Sequence, residues 1–298
     1  MGASLGQMVV FTGIADLALI DIVEGIAEGK ALDLAQARPL YGSDVKVEGG
    51  TEAALVKDAD LAVITAGITR QPGMSREELL LTNARIVGQC AEATGKYAPN
   101  AFVMMISNPL DAMTYVAAQK TGFPKNRVMG MAGVLDSARF RHFLSEAIGG
   151  SVKDIQAMVL GGHGDEMVPL LSSAVWQGEK IEKVVSAEAL EKIVSRTKNA
   201  GSEIVSKLKT SAFYSPAASA FEMIQAIFND EKRLLPCSAW LEGEYGVNGI
   251  YVGVPVILGK GGVEKIVELE LTEKEKELFA QSCQAVKSSV EKLKGLKV

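Results

Sequence analysis

The sequence predicts an α/β protein: a doubly wound parallel sheet in the first half, followed by an α+β second half. Three observations carry that expectation. Short apolar runs alternate with helix-period segments through the first half. Those runs are apolar nearly throughout, as suits strands covered by helices on both faces. The second half instead reads as helices followed by a pair of strands.

The strand candidates are Asp16–Asp21, Asp44–Gly49, Leu61–Gly67, Ala101–Ser107, Arg127–Ala132 and Gln156–Gly161. Between them Gly25–Ala37, Ser75–Tyr97 and Leu110–Thr121 have helical spacing, and a short helix runs from the start to about Thr12. Further on, Ile181–Leu208 and Ser215–Asn229 read as helices. Ile250–Leu258 and Val263–Leu269 read as strands of a hairpin turned by Gly259-Lys260-Gly261-Gly262. No helix follows those glycines, so the segment reads as a turn and not as a phosphate cradle. A last helix begins near Thr272, with Thr272 and Glu275 forming a capping box. Its apolar stripe is Leu278, Phe279, Cys283, Val286, Val290 and Leu293. Composition shifts near residues 133–150, which places a boundary between units 1–133 and 134–298.

Composition excludes several classes. The chain has 298 residues, 48% hydrophobic and 22% charged, which is ordinary for globular proteins and wrong for fibres or disordered tails. Runs such as Ala101–Ile106 are too short to span a bilayer, so no membrane partner is expected. Net charge is −5 and the basic residues are scattered, which argues against nucleic acid. Cys90, Cys237 and Cys283 have neither metal-ligand spacing nor a disulfide framework. No metal is expected. With no charged-then-apolar leader at the front, a reducing cytoplasm is the expected location.

The front has parts of a dinucleotide-binding unit, in which a strand feeds a glycine-rich turn, a helix and a second strand ending in an acid. The helix, the second strand and its acid, Asp21, are present. The first strand and two of three glycines are not, and Gly2 stands near the third glycine position. A carboxylate at Asp21 would bond an adenosine ribose and repel a 2′-phosphate, favouring NAD over NADP. Read blandly, Gly2 is any early glycine and Asp21 any strand-end acid.

Four segments carry candidate chemistry. His163 lies in Gly161-Gly162-His163-Gly164-Asp165 after an apolar strand, where the glycines would leave it room to meet a ligand. The other histidine, His142, reads as a surface residue. Asp136 and Arg139 lie three apart; as chemistry, Asp136 would orient the histidine and Arg139 grip a carboxylate. As structure, they are an acid at a helix start and its ion pair. Thr65–Arg76 leaves a strand and enters a helix, with Pro72 and Gly73 suggesting a mobile loop that carries Arg70 and Arg76. Ser107-Asn108-Pro109-Leu110 ends another strand. Asn108 is either a helix cap or an amide for a substrate hydroxyl.

Taken together and in order, these segments resemble the malate dehydrogenases of the lactate dehydrogenase-like branch. The resembling motifs are Asp21–Gly25, Arg70–Arg76, Ser107–Leu110, Gly133–Arg141 and Gly161–Asp165. The resemblance implies a Rossmann NAD-binding domain over 1–133, truncated at its front, and a substrate domain over 134–298. It implies NAD as cofactor and reversible hydride transfer between (S)-malate and oxaloacetate. His163 would be the proton acceptor and donor, with Asp136 its partner. Arg139, Arg70, Arg76 and Asn108 would bind substrate. Gly2, Asp21, Asn83, Ile106, Ser107 and Asn108 would line the cofactor. Arg70 would pair with a second carboxylate and so select oxaloacetate over pyruvate. A homodimer or homotetramer is implied.

Without the first strand, about six buried apolar residues at roughly 1.5–3 kcal/mol each are lost, and a domain's net stability is of similar size. The expectation is therefore a fragment or a misassigned start, with weakened pyrophosphate binding. The alternatives are a lactate or other 2-hydroxyacid dehydrogenase, and an inactive homologue that serves as an interaction subunit.

Overall fold

A computed structural model describes residues 1–69 and 73–294. The first half alternates as the apolar runs predict. In order come α1 (Gly2–Thr12), β1 (Leu17–Ile20), α2 (Ile26–Tyr41), β2 (Val47–Gly50), β3 (Leu61–Ile64), α3 (Arg76–Tyr97), β4 (Phe102–Met105), α4 (Leu110–Thr121), β5 (Val128–Gly130) and α5 (Gly133–Ile148). Helix α2 runs past the expected Ala37 and stops at Gly42, whose left-handed φ of 64° suits glycine. Helix α3 opens on the capping box of Ser75 and Glu78.

The second half holds β6 (Ile155–Gln156), β7 (Val159–Leu160), β8 (Val168–Pro169), β9 (Val175–Trp176), β10 (Glu179–Lys180), α6 (Ile181–Val184), α7 (Ala187–Leu208), α8 (Tyr214–Phe228), β11 (Arg233–Glu242), β12 (Asn248–Gly259), β13 (Gly262–Ile266) and α9 (Glu273–Lys294). Two expected elements divide. Gln156–Gly161 becomes β6 and β7, which pair in different small sheets. Ile181–Leu208 breaks between α6 and α7, where Ser186 caps the second helix. Strand β11 had no counterpart in the sequence reading. Its Pro236 argues against a central strand. In the fold Pro236 lies opposite Pro255 in the antiparallel ladder with β12, which has alternate positions that exchange no hydrogen bonds. The β12–β13 hairpin and the Thr272–Glu275 box form as expected.

The main sheet has the order β13-β12-β11-β5-β4-β3. Strands β3, β4 and β5 are parallel, and β11 joins antiparallel to β5 through Ser238 and Gly130. One sheet therefore crosses the expected boundary at 133. Strands β1 and β2 form a separate parallel pair. Helix α4 packs in the middle, burying Leu110 to Thr114, Val116 and Ala117. Among the described residues no helix is long and apolar enough to cross a membrane, and no group of His, Cys, Asp or Glu is arranged to hold a metal.

Candidate active site

The candidate residues gather where strands end at their carboxyl edges, the side on which open α/β sheets take ligands. Strand β4 runs out into Ile106, Ser107 and Asn108, β5 leads into α5, and β7 leads into the His163 loop. His163 and Asp136, 27 residues apart in sequence, meet with Nδ1 2.6 Å from Asp136 Oδ2. The Asp136 side chain is 2% exposed and that of His163 14%. A carboxylate at Nδ1 keeps that nitrogen protonated and leaves Nε2 as the atom that exchanges a proton. Asp136 Oδ1 accepts from Arg139 at 3.2 Å. The ion pair and the histidine contact thus coexist on one carboxylate, and the buried Arg139 Nε has no hydrogen-bond partner among the described residues.

Burial by itself pushes the His163 imidazole down. The charge and hydrogen bond of Asp136 raise it, Arg139 lowers it and Asp111 raises it, and the balance lies above the ordinary 6.5.

The glycines beside His163 do something other than admit a ligand. Gly161 has φ +87°, and a Cβ on it would meet Ser282 Oγ at 2.6 Å. A Cβ on Gly162 would meet Val286 at 2.7 Å and Asp111 Oδ2 at 3.3 Å. Both glycines let the loop lie against α9 and α4. Only Gly164 faces open space. Three successive amides are held: Gly161 donates to Gly253 O at 2.8 Å, Gly162 to Ser282 Oγ at 2.8 Å and His163 to Asp111 Oδ2 at 2.8 Å. The sequence reading missed Asp111, Ser238 and Ser282. Asp111 had a signal: it is the lone acid in the apolar start of α4.

On the expected cofactor side, Asn83 is 1% exposed. Its carboxamide bonds both backbone groups of Ile68 and donates to Asn108 O at 2.7 Å. Asn83 therefore shapes that wall through the backbone. Ser107 is buried and donates to Ala66 O, while Ile106 donates its amide to Ile64 O. Asn108 is exposed. Pro109, joined to it by a cis bond, takes the cap position of α4, so the carboxamide of Asn108 is not a helix cap.

Arg76 is the first residue of α3 and not a loop residue. Its side chain is 82% exposed and contacts Asp165 at 3.2 Å, reaching across to the His163 loop. Arg70 lies outside the described residues. His142 is on the surface beside Glu146. At the front, Asp21 follows β1 and its Oδ1 accepts from Val23 N at 3.1 Å. Helix α1 starts at Gly2 with no side-chain cap and no acid in its first turn. A Cβ on Gly2 would come within 3.7 Å of Thr65 Oγ1, just past β3. An uncapped helix start beside the carboxyl edge of the sheet fits a phosphate-bearing cofactor.

A family model described as the lactate/malate dehydrogenase NAD binding domain matches residues 1–130, and one for the alpha/beta C-terminal domain matches residues 133–296. The chain belongs to the lactate/malate dehydrogenase family. A malate dehydrogenase of Roseiflexus sp. is 48% identical over 99% of this chain and 96% of its own length. One of Geobacillus kaustophilus is 49% identical over 96% of this chain and 93% of its own. Among family structures, malate dehydrogenase of Cryptosporidium parvum superposes with TM-score 0.95 at 45% identity, covering 99% of this chain and 96% of that one. The lactate dehydrogenase of Cryptosporidium parvum, complexed with lactic acid and nicotinamide adenine dinucleotide, has TM-score 0.95 at 42% identity, covering 99% and 95%. The family fold is thus common to enzymes named for two different substrates.

Proposed function

We propose that this chain is an NAD-dependent malate dehydrogenase in which His163 moves the proton. The observation that carries the proton role is the 2.6 Å contact of a half-buried imidazole with a buried carboxylate. The curated relatives of Roseiflexus and Geobacillus carry the malate dehydrogenase name, which favours a four-carbon diacid over lactate.

When bound, NAD supplies the nicotinamide carbon that exchanges hydride with C2 of the substrate. Neutral His163 takes the malate hydroxyl proton at Nε2, while Asp136 orients the ring and stabilises its charged form. Arg139 holds the carboxylate next to the reacting carbon through parallel hydrogen bonds. In reduction, protonated His163 and Arg76 stabilise charge developing on the carbonyl oxygen. Arg76 must leave Asp165 to do so, and that exposed pair is weak enough to yield. Asn108 bonds the substrate hydroxyl. Gly2, Asp21, Asn83, Ile106 and Ser107 form the cofactor wall, Asn83 and Ser107 by holding backbone. Arg70 pairs with the second carboxylate.

The same reading assigns 1–133 to cofactor and 134–298 to substrate. Assembly as a homodimer or homotetramer is supported by exposed Leu32 and Leu40, two turns apart on α2, and a cytoplasmic setting by three free cysteines.

The deciding experiment follows NADH oxidation by the purified protein with oxaloacetate and with pyruvate. Oxaloacetate should be strongly preferred, and Arg70→Gln should erase the preference. Preference for pyruvate, or unchanged selectivity in Arg70→Gln, overturns the substrate assignment.

A further inference from the structure

Asp111 is 5% exposed in the middle of the molecule. A carboxylate at such a site is costly unless its oxygens are well bonded. Its two oxygens are used separately. Oδ1 accepts from the Ser238 hydroxyl of β11 at 2.7 Å, and Oδ2 accepts from the His163 peptide N–H at 2.8 Å. Asp111 stands on the first turn of α4, three residues after Asn108. The group that grips the histidine backbone therefore lies on α4, one turn beyond the strand end that carries Asn108.

We infer that Asp111 is a positioning residue for proton transfer: through the His163 peptide N–H it fixes the imidazole against Asp136 and in register with Asn108. The inference rests on His163 being the proton-transfer group. The other clamps on this loop act on Gly161 and Gly162. Among the described residues, Asp111 alone holds the backbone of the histidine itself. Bonding the peptide leaves the ring free to exchange its proton at Nε2 while limiting how far it can move from Asp136.

The charges acting at Asp111 come from His163 and from Asp136. Cys283 of α9 also lies in its field, with Lys287 acting on that thiol. Burial raises the Asp111 carboxyl, against the lowering effect of the Ser238 and His163 hydrogen bonds. Asparagine at this position has the same shape. Its oxygen would accept the His163 N–H, and its amide would donate to the Ser238 oxygen, so position survives without the charge.

The test measures oxaloacetate reduction and the pH profile of malate oxidation for Asp111→Ala, Asp111→Asn and His163→Asn. In Asp111→Ala, kcat should fall about 100-fold, the scale of a small misplacement of a reacting group, with little change in KM for NADH. The midpoint of the oxidation profile should also drop, because the Asp111 charge is lost and the ring slips from Asp136. Asp111→Asn should recover most of kcat. Asp111→Ala within threefold of the parent with an unmoved midpoint overturns the inference, as does equal loss in both Asp111 variants. If Asp111→Ala does not fold, Ser238→Ala is read instead: removal of the brace should lower kcat and move the midpoint the same way, and an unmoved midpoint counts against the inference. Full activity in His163→Asn would reject the proton-transfer reading itself, a separate outcome.

Discussion

The two ends of the proposed site are built to different standards. At the histidine end, one loop is gripped by β12, α9, α4 and α5, and every grip is a short hydrogen bond to a buried or half-buried group. At the adenosine end, β2 is the one ladder partner of β1 among the described residues, Asp21 bonds its own turn, and Ile22 beyond it is 95% exposed. Proton transfer depends on distances held to a fraction of an ångström, so its groups are held redundantly.

The contrast breaks first at His163. His163→Asn should lower kcat by about 10²–10⁴-fold, the usual worth of a general acid–base, and steady-state oxaloacetate reduction measures it. Arg139→Leu removes two charge-assisted bonds at roughly 1.5–3 kcal/mol each and should lower kcat/KM by about 10²-fold or more. The loss should follow the substrate and not NADH. The pH profile sharpens the picture further. The His163 pKa is raised by Asp136, so the imidazole keeps its proton to higher pH. Malate oxidation, which needs the neutral ring, should reach half its maximum above 6.5; a midpoint below that value contradicts the coupling. At the loose end, Asp21→Asn should raise KM for NADH by only about tenfold, the worth of one hydrogen bond to a charged group, and leave kcat nearly unchanged. Equal damage at both ends would mean that the contrast in construction has no functional counterpart.

Much of the architecture was legible because buried parallel strands are apolar throughout and helices between them repeat at their own period. Leu61–Ile64 and Phe102–Met105 fall inside their expected runs. Strand β11 was not legible: Pro236 argues against a central strand, and only the ladder with β12, where it lies opposite Pro255, accommodates it. The glycines at 161 and 162 were visible, but their purpose was not. What they make room for comes from helices some 50 residues before and 120 after them.

The sequence alone specified the kinds of chemistry present: one well-placed imidazole, an acid and an arginine a helical turn apart, and strand ends that carry them. Those follow from local spacing, which a helix or strand imposes within a few residues. Tertiary packing decided which carboxylate holds the backbone of the histidine, and that Asn83 serves the chain and not the solvent. Such choices belong to groups distant in sequence. Burial makes an unpaired donor or acceptor costly, so only the folded arrangement determines which of them meet.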